Sequence, residues 1–497
     1  MLKLIKVRVM SVLMCLIVLA SVLPTAIFAQ TAANGISSEA EAHILSELRR
    51  ARIPNAAIAV IQGGEVSYVL KDSTYDDLFQ IGSIAKSFTG FGVLLLEDMG
   101  LLSVNDPVNK HLPWFEVRYN GVPVPHEDIT IYNLLHHTSG FTSNERHFPR
   151  AAVTETTDEF IARMTGIELE FYPSTRYVYG NMNFIILGLI IEAVSGQSYD
   201  EFMTQHILHP LGMYNTFTDT RRAYETGRVV GGNVLSFFRP WPQARGENVH
   251  VTSMPTGGIF SGIEDMARWA GMHLGVVDVS EQFARVVQRS HEHNHSVATP
   301  FADMNFFYAA GWVVGTEVGG GIQHSGQVPG YSAAVMMFPQ DNTAVVVLSN
   351  LRYISIERLG MVALDAAVNG SFNRAGFDMF AIVDTIATIY IAVGIFYAIM
   401  LARLALKLKK RLHSGEIIKV DAASISIKGL ISPVFAIAGL IAYYTFPFFM
   451  DTNIASIRVN WPYSFTIVAV AIWVTVLYDL FSWWIAVFVK PQEKEGA

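Results

Sequence analysis

The stretch FQIGSIAKSFTG at residues 79–90 decides both the fold and the chemistry of this chain. Gly82 and Ser83 are turn residues, and the apolar run that follows them predicts a buried helix. Ser83 therefore lies at the N-terminal end of that helix, where free N–H groups and the helix dipole favour negative charge. Lys86 follows one turn later on the same face. This arrangement is typical of an activated nucleophile, and a capping serine with a solvated lysine is the alternative.

The composition of the 497-residue chain indicates a membrane protein. Its hydrophobic fraction is 51% and only 16% of its residues are charged, and both values depart from soluble averages towards those of membrane proteins. The net charge of −8 gives no basic surface for nucleic acid, so we expect no nucleic-acid partner. The single cysteine, Cys15, excludes a disulfide or a cysteine metal site within the chain.

The N-terminus has the order of a secretory signal peptide. Basic residues precede an apolar stretch over residues 9–28, and Ala29 follows it. We expect residues 1–29 to be a signal peptide that is cleaved after Ala29, with an uncleaved anchor helix as the alternative. Either interpretation predicts that the segment after it is exported.

Residues 31–372 have the mixed composition of a globular α/β domain. Two β-rich runs, 56–61 and 66–70, flank a Gly63-Gly64 turn and predict a hairpin. Near the other end the sequence predicts a helix over 355–368, preceded by four strands over 306–314, 321–327, 332–338 and 344–348. Strands at both ends predict an antiparallel sheet built from both ends of the domain, with a helical region inserted between them.

Beyond residue 373 the composition becomes that of a membrane domain. Three segments are each long enough to cross a bilayer: 380–402, 429–450 and 464–489. Seven basic residues lie between the first two segments, and only Arg458 lies between the last two. The positive-inside rule therefore predicts that the 403–428 loop and the 490–497 tail are cytoplasmic, with the globular domain outside the cell membrane. Asp384 lies near the outer end of its span, where a solvated carboxylate costs little.

Tyr179-Gly180-Asn181 is the second motif that carries chemistry. A tyrosine phenol acts as a base if a neighbouring cation lowers its pKa, and Lys86 is the candidate for that cation. Asn181 both donates and accepts, so it can hold a substrate amide and the lysine together. In isolation the same motif is ordinary turn chemistry.

His324-Ser325-Gly326-Gln327 is the third motif, and it is predicted to lie on a strand. A glycine here lets a substrate approach the strand edge, and the Gln327 N–H is a candidate for the second donor to an oxyanion. A strand histidine that faces solvent is the alternative for His324.

The motifs Ser83-x-x-Lys86, Tyr179-x-Asn181 and His324-x-Gly326, in this order, resemble those of the penicillin-recognising serine hydrolases. The nearest branch contains class C β-lactamases, D-alanyl-D-alanine carboxypeptidases and D-aminopeptidases. The stretches 134–141, 209–213 and 255–261 agree with this resemblance, which extends over about residues 39–368. It implies a β-lactamase/transpeptidase-like fold and a serine hydrolase that forms an acyl-enzyme.

The resemblance also implies roles for individual residues. It makes Ser83, Lys86 and Tyr179 catalytic, and it assigns oxyanion or substrate binding to Asn181, His324, Gly326 and Gln327. The chain has no phosphate loop or dinucleotide fingerprint, and we expect neither a cofactor nor a metal. The expected partners are a small peptide or lactam substrate and the membrane, and the sequence leaves the oligomeric state open.

One position departs from the family pattern. Many relatives carry a lysine followed by a threonine where this chain has His324 and Ser325. A histidine that is neutral at pH 7 weakens the capture of a substrate carboxylate, which argues against high activity on penicillins. The expected substrate is an amide, either a D-amino-acid-containing peptide or a β-lactam-like compound, and an ester stays open because relatives with a histidine at this position include peptidases and esterases.

Two further functions stay open. An exported domain of this family followed by three transmembrane helices resembles the prodrug-activating peptidases of nonribosomal-peptide pathways, of the colibactin type. Those enzymes remove an N-acyl D-amino-acid cap from a maturing metabolite. A β-lactam or wall-peptide sensor would keep Ser83 without turnover, but the cytoplasmic segments are too short for a signalling domain.

Two other histidine sites are weaker candidates. His250 precedes the Gly257-Gly258 turn and is a candidate for the substrate cleft. The alternation His291-x-His293-x-His295 can bind a metal from an extended strand, but a solvated loop is the favoured interpretation.

Overall fold

The structure is a computed structural model in which the chain forms two compact units. The described residues are 35–142, 155–243, 251–294, 296–299, 302–317, 320–376, 378–414, 418–419, 441, 444–445, 461–488 and 490–491. The first unit consists of Met1–Val234 and Pro240–Asp378, and the second of Leu235–Arg239 and Met379–Ala497. The predicted signal peptide and most of the predicted middle span lie outside the described residues.

The strands from residue 56 to residue 349 alternate with helices in the middle of the chain. They are β1 (Ala56–Gln62), β2 (Glu65–Lys71), β3 (Phe79–Gln80), β4 (Val117–Tyr119), β5 (Val122–Pro123), β6 (Ile167–Glu168), β7 (Thr216–Phe217), β8 (Asn233–Ser236), β9 (Arg239–Pro242), β10 (Phe260–Ser261), β11 (Phe306–Tyr308), β12 (Val313–Gly315), β13 (Ile322–Val328), β14 (Tyr331–Phe338) and β15 (Thr343–Ser349).

A seven-stranded antiparallel sheet forms the centre of the first unit. Its order is β11-β12-β13-β14-β15-β1-β2, so the N-terminal hairpin completes a sheet that the C-terminal strands begin. The predicted sheet built from both ends of the domain is confirmed. Strand β15 is buried along its whole length, and its Val345-Val346-Val347 run is typical of a strand covered on both faces.

Helices cover both faces of this sheet. The α-helices described in the first unit are α1 (Ser38–Arg50), α2 (Ala85–Asp98), α3 (Val108–His111), α4 (Ile131–Leu135), α5 (Thr157–Met164), α6 (Asn181–Ser195), α7 (Tyr199–Met203), α8 (Thr220–Glu225), α9 (Ile263–Leu274), α10 (Glu281–Ser290) and α11 (Ile356–Asn369). Helices α1 and α11 pack together and α11 lies on β14 and β15, while α9 also packs on these central strands. Helix α11 confirms the predicted C-terminal helix of the domain.

The single strand predicted over residues 306–314 is instead the pair β11 and β12. A tight turn separates them, in which the Ala309 N–H donates to the Trp312 carbonyl over 2.8 Å. Gly311 in this turn has a φ of +89°, and a Cβ atom there would lie 2.4 Å from the Lys86 carbonyl oxygen. The chain reverses here because only a glycine allows this turn to pack directly on α2.

The second unit contains two helices that are long and apolar enough to cross a membrane. Helix α12 (Met379–His413) and helix α13 (Tyr463–Phe488) contain the spans Met379–Arg411 and Tyr463–Ser482, with mean hydropathies of 2.1 and 1.9. Short strands β16 (Ile418–Lys419) and β17 (Lys490–Pro491) pair with each other. In the first unit, α6 and the segment 199–208 would together also pass as one span, bent by 79°, but the apolar side chains of α6 are buried in the core of that unit.

The tip of the β8–β9 hairpin belongs to the second unit. Its two central residues, Phe237 and Phe238, have φ values of +53° and +63°, as in a type I′ turn. Their N–H groups donate to the Asp384 carboxylate over 2.7 and 2.8 Å, and Ser464 Oγ donates to it over 2.6 Å. The expectation that Asp384 is solvated is wrong, because the hairpin tip and Ser464 surround the carboxylate and bury it completely.

Candidate active site

Ser83 lies at the start of the buried helix, as the sequence predicts. The chain runs from β3 into a 3₁₀ turn over Gly82–Ile84 and then directly into α2. Gly82 has a φ of +56°, in the left-handed region that favours glycine. Between residues 78 and 96, Ser83 is the only residue that is not buried. The fold therefore leaves one hydroxyl of this stretch accessible to a reactant.

Lys86 is completely buried next to Ser83. Its Nζ lies 3.1 Å from Ser83 Oγ and donates to the Thr256 carbonyl oxygen over 2.8 Å. Burial lowers the pKa of Lys86 well below its usual value, because a charged amine loses its hydration there. The site therefore favours the neutral amine, which can accept a proton from the Ser83 hydroxyl.

The backbone around Ser83 lies directly against β13. A Cβ atom at Gly326 would lie 1.8 Å from the Ile81 carbonyl oxygen and 2.9 Å from the Ser83 nitrogen. A Cβ atom at Gly82 would lie 2.7 Å from the Gln327 nitrogen. Glycine at both positions therefore brings the N–H groups of Ser83 and Gln327 close together, as an oxyanion-binding pair requires.

The edge of β13 beyond this point is open. Strand β12 pairs only with Ile322 and Gln323, so from His324 onward no described strand pairs with β13 on that side. An extended substrate backbone can lie along such an edge. The Gln327 side chain does not take part, since its Nε2 donates to the Ile354 carbonyl.

Tyr179 joins the same site from the loop before α6. The Lys86 Nζ lies 4.9 Å from the centre of its ring. Burial raises the pKa of Tyr179, and its interaction with the Ser83 hydroxyl only partly offsets this effect. The prediction that Lys86 acts as a cation to lower this pKa is wrong, because burial favours the neutral form of both groups.

Asn181 is the first residue of α6 and is exposed. Its side chain forms no hydrogen bond with the described part of the chain, so the predicted contact between Asn181 and Lys86 is not present. Its amide is free to interact with a substrate.

His324 is buried and neutral. Its Nδ1 donates to the Ser325 carbonyl over 2.7 Å, so Nε2 is the acceptor and lies 3.3 Å from the Tyr308 hydroxyl. Burial lowers the pKa of His324 to about 3. The expectation of a neutral histidine at this position is confirmed, and the solvent-facing alternative is wrong.

The sequence reasoning missed two groups that complete the site. The Thr256 carbonyl holds Lys86, and the Tyr308 hydroxyl holds His324. Thr256 lies in the Pro255–Ser261 stretch, which agrees with the family pattern. That agreement was the only sequence feature that could have pointed to Thr256. For Tyr308 the sequence predicts only that it lies in a strand, and no pattern in the sequence connects it with His324.

None of the weaker histidine candidates is seen at the site in the described part of the chain. His250 and His295 lie outside the described residues. His291 is not in a solvated loop, since its Nε2 lies 2.9 Å from Nδ1 of the buried His273. Within the described ranges, no group of three or more His, Cys, Asp or Glu residues can hold a metal ion.

Residues 39–367 match the family model for β-lactamases. The chain belongs to the β-lactamase family. The matched residues include the seven-stranded sheet and all three motifs. The match therefore gives this chain the β-lactamase/transpeptidase-like fold and places it in a family of serine hydrolases.

The relatives include protein flp of Staphylococcus aureus and a penicillin-binding protein of Bacillus subtilis. The Staphylococcus aureus protein flp is 31% identical over 342 residues in strain MW2, which cover 66% of this chain and 65% of that protein. In strain COL the match has 27% identity over 474 residues and covers 90% of each chain. Penicillin-binding protein 4* of Bacillus subtilis is 27% identical over 60% of this chain and 68% of its own length.

A solved structure supports the same relationship. The octameric penicillin-binding protein homologue from Pyrococcus abyssi superimposes with a TM-score of 0.56 and 25% identity. The match covers 70% of this chain and 80% of that structure.

Proposed function

We propose that the chain is a membrane-anchored serine hydrolase that acts through an acyl-enzyme on Ser83, with its catalytic unit outside the cell membrane. The approach of the buried Lys86 amine to Ser83 Oγ, at 3.1 Å, is the observation that carries this proposal. The two apolar helices of the second unit support the membrane anchor. The basic 403–428 loop supports the outward orientation of the catalytic unit.

In the proposed reaction the Ser83 oxygen attacks the carbonyl carbon of an amide, lactam or ester. The neutral Lys86 amine accepts the hydroxyl proton, and Tyr179 passes a proton to the leaving nitrogen or oxygen as the carbonyl–leaving group bond breaks. The N–H groups of Ser83 and Gln327 stabilise the oxyanion. Water then attacks the acyl carbon, and its proton returns to Ser83 through the same groups.

The preferred substrate carries no carboxylate at the position that His324 faces. Both ring nitrogens of His324 are engaged and the ring is neutral, so this residue supplies no cation. A D-aminoacyl amide or ester therefore fits better than a penicillin. A metabolite that loses an N-acyl D-amino-acid cap meets the same condition and is the second candidate.

The test uses the full chain in detergent. N-acetyl-D-alanine p-nitroanilide, which lacks a carboxylate, and benzylpenicillin are offered in parallel, and both hydrolysis and protein mass are followed. We expect p-nitroaniline release, a covalent acyl group on the peptide that contains Ser83, and hydrolysis of benzylpenicillin at least about tenfold slower than that of the anilide.

Three other outcomes would change this conclusion. Hydrolysis of benzylpenicillin faster than that of the anilide would contradict the substrate preference, and turnover with an adduct on another residue would contradict the role of Ser83. A penicillin adduct without turnover of either compound would favour a sensor.

Replacing Gly326 with alanine is expected to slow acylation about 100- to 1,000-fold, because one oxyanion donor is displaced. The added methyl group would lie 1.8 Å from the Ile81 carbonyl, so β13 must move away from Ser83 and carry the Gln327 N–H with it. Rapid-quench mass spectrometry measures the acylation rate. Gly231→Ala is the control, since a Cβ atom there has no neighbour within 4 Å. Equal rates in the two variants would show that the close approach is unnecessary.

A further inference from the structure

His137 is buried in the aromatic cluster that contains Tyr179, and the proposed reaction gives it no role. The residue is 0% exposed, and its ring centre lies 4.5 Å from the ring centres of both Tyr179 and Tyr308. Its φ of +56° is in the left-handed region, which costs energy in a residue other than glycine. Strain of this kind is often found where the position of a side chain matters for function.

Three hydrogen bonds connect His137 to the segment on both sides of Tyr179. The Val178 N–H donates to the His137 carbonyl over 3.0 Å. The Gly180 N–H and the Asn183 side-chain amide donate to His137 Nδ1 over 3.4 and 2.9 Å. The backbone that presents Tyr179 to Ser83 is therefore held by one histidine.

These contacts also determine the tautomer of His137. A backbone N–H can only donate, so Nδ1 is the acceptor and the ring proton is on Nε2. The amide of Asn183 is oriented to match, since its Oδ1 accepts from Ser139 Oγ over 2.5 Å and its Nδ2 also donates to the Gly180 carbonyl. Burial lowers the pKa of His137 well below its usual value, which keeps the ring neutral.

Two buried polar atoms in this cluster have no hydrogen-bond partner among the described residues. They are His137 Nε2 and the Tyr179 hydroxyl, although the hydroxyl is close enough to Ser83 for that residue to influence its pKa. Buried polar groups are usually paired, so these two unpaired groups, on rings whose centres lie 4.5 Å apart, are the candidates for an interaction made during the reaction.

We propose that His137 is a positioning residue for Tyr179, and that its Nε2–H stabilises the phenolate that forms when Tyr179 gives up its proton. This inference rests on the proposed function. The proton leaves the Tyr179 oxygen for the leaving group, the negative charge interacts with the Nε2–H dipole, and the Lys86 ammonium then returns a proton to the oxygen. No atom of His137 bonds to the substrate.

The variant Asn183→Asp tests the tautomer directly. The new carboxylate can still accept from Ser139, but it cannot donate to His137 Nδ1. It takes the position of the closer partner of Nδ1, at 2.9 Å against 3.4 Å for the Gly180 N–H, so the ring proton moves to Nδ1 and Nε2 becomes an acceptor. We expect the acylation rate at saturating substrate to fall about 100-fold while KM changes less than about threefold. Ser139→Ala is the matched control, because it removes the opposite bond to Asn183 and leaves the tautomer unchanged.

The second measurement is nitrogen NMR of the ¹⁵N-histidine-labelled full chain in detergent, with the His137 signals assigned by their loss in His137→Gln. We expect a protonated Nε2 in the wild type and a protonated Nδ1 in Asn183→Asp. A protonated Nδ1 in the wild type would overturn the inference, and so would a swapped tautomer with an unchanged acylation rate. If the wild type fails to acylate at all, the proposed function fails instead, and the wild-type spectrum still tests the tautomer.

Discussion

Replacing Ser83 with alanine is expected to lower hydrolysis of N-acetyl-D-alanine p-nitroanilide about a million-fold. Without the hydroxyl there is no oxygen to form the ester bond, and the oxyanion donors alone leave only a small residual acceleration. Ser83 Oγ is accessible at the start of α2, so its removal deletes no packed core group. The measurement combines p-nitroaniline release with intact mass, and we expect the acylated species to disappear.

Ser87→Ala is the matched control for this substitution. Ser87 lies in the same helix and is buried, but its Oγ donates to the Ile84 carbonyl and accepts from the Trp269 indole rather than facing Lys86. Its loss is expected to cost about 1–3 kcal/mol of unfolding free energy, because the indole N–H is left unpaired. Acylation of this variant should stay close to the wild-type rate. Turnover of a pure Ser83→Ala preparation well above that residual rate, or an acylated form of it, would refute the assignment of the nucleophile.

Replacing Lys86 with methionine is expected to lower the acylation rate about 1,000- to 10,000-fold. Methionine has a similar length and fills the buried site, but it has no lone pair basic enough to accept the Ser83 proton. The fold should be retained, since the substitution removes the desolvation cost of a buried amine. Thermal unfolding followed by tryptophan fluorescence measures stability, and rapid-quench mass spectrometry measures acylation.

Lys86→Arg separates the two functions that this lysine can have. Arginine keeps a positive charge but does not lose its proton in proteins, so it cannot act as the base. We therefore expect it to be as slow as the methionine variant. A fast arginine variant would indicate that Lys86 acts through its charge alone.

The pH profile provides an independent check on the same residue. The active base is the deprotonated amine, and burial lowers the pKa of Lys86. The value of kcat/KM should therefore be constant above this lowered pKa and fall as the pH drops below it. An unperturbed lysine would instead give a rate that keeps rising up to about pH 10.

The sequence predicted the elements that depend on local patterns. The β1–β2 hairpin follows from its alternating runs and the Gly63-Gly64 turn, and α2 follows from the apolar run after Ser83. The division of 306–314 into two strands was not predictable, because Gly311 reverses the chain to fit the backbone of α2. That constraint comes from residues more than two hundred positions away.

The candidate site shows the same limit. The motifs identified Ser83, Lys86, Tyr179 and His324, and the structure brings these four side chains together. The protonation of Lys86 and Tyr179 was not predictable, because it depends on how deeply these two side chains are buried rather than on their spacing. The hydrogen bonds of His137 were also not predictable, because its partners Gly180 and Asn183 are brought to it only by the folded loop.

The Phe237-Phe238 turn has a practical consequence for anyone who expresses the catalytic unit as a water-soluble protein. Its two N–H groups have their acceptor, Asp384, on helix α12, so a chain that ends before this helix leaves them without that acceptor. Two phenylalanines in left-handed conformations would then lie at a hairpin tip without their carboxylate, which favours aggregation. Replacing them with Asn-Gly, the pair that a type I′ turn prefers, would remove both the backbone strain of the positive φ angles and the two aromatic side chains at the hairpin tip.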